Sequence, residues 1–211
     1  MSGPPHRCAV RRVAPALLLA VLGVSACTGG SEPAAERPDS SAGPTSAAPA
    51  LPASVPLRVE VTHVAGELPA ARSKRLAVRV GRAISAYADA AFLEGDYPRS
   101  AFGSSFGAFT AGAAAQARRD VALLTNEPLG ATTAGVWATR RTAYLSVIAP
   151  KGRVAGVTAA VDLVFRVDRG DRAGRRVQLK GRLLMTPTRT GKWAVFGYDL
   201  SRSGTTVRSA S

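Results

Sequence analysis

Between Val157 and Val167 the sequence alternates without a break: Val157, Ala159, Val161, Leu163, Phe165 and Val167 are separated by Thr158, Ala160, Asp162, Val164 and Arg166, with Asp168 following. A helix turns about 100° per residue and would scatter such a pattern around its circumference, whereas a strand puts every second side chain on one face. The segment therefore reads as a long strand buried on one side. Val177, Leu179, Gly181, Leu183 and Met185 repeat the pattern against Gln178, Lys180, Arg182, Leu184 and Thr186. Val136 to Ile148 and Lys192 to Leu200 carry weaker versions of it. The connections Pro150 to Arg153, Arg169 to Gly174 and Thr190-Gly191 are short and rich in turn residues. They predict antiparallel hairpins and hence a four-stranded meander.

The apolar face of such a sheet needs a cover, and the preceding residues supply it. Within Leu68 to Leu93, Leu76, Val80, Ile84, Tyr87 and Ala91 recur at helical spacing as one stripe. A second helix is expected from about Thr110 to Thr125, capped by Thr110, with Ala114, Ala117, Val121 and Leu124 buried. Gly95-Asp96-Tyr97-Pro98 reads as a turn, Phe102, Phe106 and Phe109 as aromatic packing, and Leu57 to Val64 as a short, imperfectly alternating strand. Helices followed by a meander make an α+β domain with N-terminal helices packed on the sheet. This order, together with the closing strand Gly191-Lys192-Trp193-Ala194-Val195-Phe196-Gly197-Tyr198-Asp199, resembles the NTF2-like (cystatin-like α+β roll) superfamily over about residues 68–203. The resemblance implies a curved four-stranded antiparallel sheet wrapped round a long helix as a cone, and it transfers no functional residues.

The N-terminus is organised differently. Arg7, Arg11 and Arg12 precede an apolar run from Val13 to Ala26 that ends at Cys27. This is the order of a secretory signal, and a helix of that length rises about 21 Å, too short to span the roughly 30 Å hydrocarbon core. Val24-Ser25-Ala26-Cys27 resembles the lipobox of bacterial lipoproteins, including those of high-GC Gram-positive bacteria. That resemblance implies cleavage before Cys27, a diacylglyceryl group on its thiol and residence on the outer face of the cell membrane, where two acyl chains hold stably and one does not. Arg11-Arg12 lacks the flanking pattern of twin-arginine export signals. Residues 1–26 thus read as a signal peptide. Residues 27–56 read as a disordered linker in which Pro33, Pro38, Pro44, Pro49, Pro52 and Pro56 recur among small residues. Residues 57–205 read as the folded domain and 206–211 as a disordered tail.

Two His and two Cys are too few for a zinc finger, a multi-His metal centre or a disulfide framework, and nothing in the sequence asks for a cofactor. The net charge is +14, and because residues 1–26 carry three arginines without an acid and residues 27–56 carry one arginine against three acids, almost all the excess lies on the domain. Arg72, Arg75, Arg79 and Arg82 recur at helical spacing on one side of the first helix, and Arg166, Lys180 and Arg182 share the polar side of adjacent strands. Such faces attract anionic envelope polymers or headgroups, and export argues against nucleic acid. Acid-base chemistry would need a carboxylate or His beside a Tyr in the mouth of the cone. The candidates are Asp89 near Tyr87, Asp96 beside Tyr97, Asp162, Asp199 beside Tyr198, and the lone His63. Each has a plainer role: Asp89 on a solvated helix face, Asp96 in a turn, Asp162 and Asp199 paired with arginines. The expectation is a non-catalytic, lipid-anchored domain that binds a small apolar ligand, an envelope component or a protein partner. It carries no acid beside a Tyr or His in its largest cavity, with Asp199 the exception to watch. The alternative is an envelope enzyme of isomerase or dehydratase type.

Overall fold

The computed structural model describes residues 51–207. The signal peptide, Cys27, linker residues 27–50 and tail residues 208–211 lie outside the described residues. The apolar stripe forms α1, Ala70–Ala88, which runs on through a π turn at Asp89–Leu93. Leu76, Val80, Ile84, Tyr87 and Ala91 are all buried along it. The second helical segment is divided. α2, Ala111–Arg119, is capped by Thr110, whose side chain accepts from the Ala113 amide, and the chain breaks at Asp120 before the single turn α3, Val121–Leu124. A further turn, α4, spans Glu127–Gly130.

Five strands form one mixed sheet in the order β1-β2-β3-β4-β5. They are β1 Arg58–Gly66, β2 Gly135–Ala149, β3 Gly156–Arg169, β4 Arg172–Pro187 and β5 Trp193–Val207. β2 to β5 are the antiparallel meander, but β1 joins its edge parallel to β2, from Arg58 opposite Thr142 to Gly66 opposite Ala149. The four-stranded antiparallel sheet is thus corrected to a five-stranded mixed one. The reason is the connection: α1 to α4 lie between β1 and β2, and a helical crossover returns the chain parallel, where a tight turn would reverse it.

β3 keeps the alternation read from the sequence. Val157, Ala159, Val161, Leu163, Phe165 and Val167 are buried against the helices, and the Phe165 ring stacks on Phe92 of the π turn at 4.3 Å. Val164 is buried out of phase, flanked in register by Arg140 and Gln178. On β4 the same inward row contains Gly181 at φ 143°, where a Cβ would collide with the Asp199 carbonyl of β5.

Both ends of the domain extend past the boundaries read from the sequence. The Val55 amide donates to the Ala138 carbonyl, and the Ala138 amide donates to Ser54 Oγ, each at 3.0 Å, so the last linker residues lie along β2. β5 runs to Val207, opposite Gly174, so its pairing enters the segment 206–211 read as tail.

Candidate functional site

The second half of α1, the Gly107-Ala108 segment and the turn between β4 and β5 enclose a cleft of about 340 Å³. Gly191 makes this turn at φ 75°, and hydrogen bonds from the Gly191 amide to the Thr188 carbonyl and from the Thr188 amide to the Lys192 carbonyl close it. Lys192 is thereby set at the mouth, with Trp193 behind it. Opposite, the Val195 amide donates to the Ala108 carbonyl and the Thr110 amide to the Val195 carbonyl, which pins the 108–110 segment to the first residues of β5. Ala83, Ala86, Ala108 and Trp193 give the cleft an apolar lining, and Arg79, Arg82 and Lys192 are its charged groups, with no acid among the lining residues.

The basic face of α1 is thereby divided. Arg79 and Arg82 reach the cleft. Arg75 shares a shallower hollow with Lys74, Val78 and Arg79, and Arg72 points to the other end of the helix, where its guanidinium donates to the Gly152 carbonyl at 3.4 Å. Lys192 was not among the candidates read from the sequence; its only signal was its place directly after a turn glycine.

A larger hollow, about 570 Å³, lies on the outer face of the sheet among Arg140, Tyr144, Asp162, Lys180 and Arg182. It joins Lys180 and Arg182 as expected, while Arg166 lies farther along, opposite Arg176. Contrary to expectation, this larger hollow does hold an acid together with a tyrosine. Asp162 nonetheless is poorly suited to act as a base. Burial alone would raise its carboxyl, but hydrogen bonds from Arg140 at 2.8 Å and Gln178 at 2.6 Å, with the charges of Arg140 and Lys180, hold it below the usual range.

The other candidates disperse. Asp89 is not on a solvated face: its Oδ1 lies 2.8 Å from Nη2 of the buried Arg141. Tyr87 donates to the Leu124 carbonyl and Tyr97 to the Phe92 carbonyl, each at 2.7 Å, so neither tyrosine serves its neighbouring acid. Asp96 and His63 are exposed. Asp199 is exposed on the outer face, because Phe196 is an extra residue in β5 that shifts the phase and turns Tyr198 inward. Tyr198 instead donates to Asp120 at the α2–α3 break, at 2.6 Å, and Gln116 donates to the same oxygen at 3.0 Å. Nothing in the sequence paired residues so far apart. The carboxylate is held low by these hydrogen bonds, and burial together with Asp120 pushes the Tyr198 phenol up to about 12. The pair therefore stays as carboxylate and phenol near neutrality and ties β5 to the helices.

Among the described residues no three His, Cys, Asp or Glu side chains are grouped to hold a metal ion, and no helix is long and apolar enough to cross a membrane. No family model matches the chain, and no curated protein or solved structure matches it.

Proposed function

We propose that the protein is a lipid-anchored module on the outer face of the cell membrane whose NTF2-like domain, with β1 as an added parallel edge, binds a small ligand without transforming it. The α1/β5 cleft carries this reading: its lining is apolar, its polar groups are cations, and among the described residues no carboxylate or histidine lines it to move a proton. The acids described elsewhere are engaged by Arg140, Arg141 or Tyr198, accept a backbone amide as Asp168 does from Gly170, or are exposed. For the anchor, support comes from the lipobox Val24-Ser25-Ala26-Cys27 and the proline-rich stretch behind it.

Full-length protein expressed in a lipoprotein-processing bacterium tests both halves. Mass spectrometry of the wild type should find a diacylated N-terminus at Cys27, and Cys27→Ala should yield unprocessed or released protein; an unlipidated wild type cleaved elsewhere would overturn the anchor. Trp193 borders the cleft and Trp137 does not. In a Trp137→Phe background an uncharged decyl glucoside below its micelle concentration should therefore quench or shift Trp193 emission saturably. Linear, unsaturable responses to this and to charged decyl amphiphiles alike would overturn the binding reading.

A further inference from the structure

Arg79, Arg82 and Lys192 meet at one small cleft although α1 and the β4–β5 turn are more than a hundred residues apart in sequence. The ion pairs among the described residues are Arg58–Glu60, Arg140–Asp162 and Arg141–Asp89, so none of these cations has an acidic partner there. Three like charges around an apolar lining repel one another, and the repulsion grows as bound apolar atoms displace water. An occupant that brings negative charge to the rim removes that cost; an uncharged one does not. Arginine adds a geometric preference, because its planar fork donates two parallel hydrogen bonds to a carboxylate or phosphate. Lys74 and Arg75 in the adjoining hollow extend the positive field along α1.

We propose that the ligand of the α1/β5 cleft is an anionic amphiphile, a single-chain phosphate monoester whose head sits among Arg79, Arg82 and Lys192 and whose chain lies along Ala83, Ala86, Ala108 and Trp193. A phosphate monoester carries about −1.5 to −2 at neutral pH, which matches three cations better than the single charge of a carboxylate. This proposal rests on the reading of the cleft as a binding site and adds the identity of the head.

Decyl phosphate, decyl glucoside, decyltrimethylammonium and inorganic phosphate, each below any micelle concentration, are titrated against the full-length protein in parallel. Decyl phosphate should bind at least about tenfold more tightly than decyl glucoside or inorganic phosphate, with affinity falling as salt rises. Arg79→Gln with Arg82→Gln, or Ala86→Glu alone, should abolish that preference. All three positions are exposed, so the variants keep the wild-type circular dichroism and melting point. Arg72→Gln, on the same helix but outside the cleft, should leave it intact. Equal binding of the three decyl compounds would overturn the phosphate head and leave the apolar cleft standing. Inorganic phosphate binding as tightly as decyl phosphate would reduce the site to a simple anion site and overturn the amphiphile. Loss of every decyl arm would overturn both readings. A decyl phosphate preference that survives in both the Arg79→Gln/Arg82→Gln and the Ala86→Glu variants would overturn the cleft as its origin.

Discussion

Arg141 carries its charge into the layer between β2 and the helices. It faces inward because Thr139 is an extra residue opposite β3: Ala138 pairs with Phe165 and Arg140 with Val164, so the buried phase passes from Val136 and Ala138 to Arg141, Ala143 and Leu145. Asp89, in the π turn that continues α1, answers it at 2.8 Å as a counter-charge, not as an aligned hydrogen bond. Removing one member of a buried pair leaves the other uncompensated. Asp89→Asn should therefore cost about 2 to 4 kcal/mol in urea unfolding, below the fully buried range because the Asp89 side chain keeps 27% exposure. The double variant Asp89→Leu with Arg141→Met should lose less than the sum of its single variants. Additive losses would mean that the two charges do not interact.

At the scale of elements, β3 is the strand whose environment follows most directly from its own residues. Leu163 is fully buried and Arg166 faces outward, half-buried and directly opposite Arg176. Leu163→Ala should cost about 2 to 5 kcal/mol through lost packing and the cavity left behind. Arg166→Ala should cost less than about 0.5 kcal/mol, since it also relieves a cross-strand pair of like charges. Similar losses in the two variants, measured by chemical unfolding, would contradict the assignment of faces. β2 and β5 behave differently, because a single extra residue in each, Thr139 and Phe196, exchanges the two faces partway along. The alternation weakens in the sequence at those same strands, but weakness alone does not say where the phase changes. The helical stripe shows the same division: α1 stays continuous along it, whereas the expected second helix is cut at Asp120, whose carboxylate is engaged by Tyr198 from the sheet.

For the whole molecule, these paired groups set a pH window. The folded carboxyls of Asp120 and Asp162 lie below their ordinary values, so their contribution is present above about pH 4 and is lost as pH falls through their folded values. Tyr198 lies above its ordinary value, at about 12, so its contribution is present below about pH 10 and is lost as pH rises toward that value. Burial also raises Tyr87 and Tyr97, which steepens the alkaline side. The urea midpoint should be flat from about pH 5 to 9 and fall on both sides. Tyr198→Phe should soften both limbs, because it removes the phenol and the hydrogen bond that lowers Asp120, while Asp162→Asn should soften the acid limb alone. An unchanged acid limb in both variants would show that other groups govern it.

Local chemistry was enough to determine the class of the domain. Period-two runs at Val157 to Val167 and Val177 to Met185, the stripe from Leu76 to Ala91 and the Gly-rich turns between strands each depend on neighbours within a few residues, and each took the form its own pattern required. The sharing of one face by Arg79 and Arg82 followed in the same way from helical spacing. The tertiary structure decided what depends on distant partners. β1 lies parallel because of where the helical crossover returns the chain; Asp89 meets Arg141, and Tyr198 meets Asp120, because bulges turned one strand residue of each pair inward; Lys192 joins Arg79 and Arg82 because the sheet brings its last hairpin to α1. A period reports which way a side chain points along its own element, but the group it meets depends on register and crossover direction, and these are set by the packing of the whole domain.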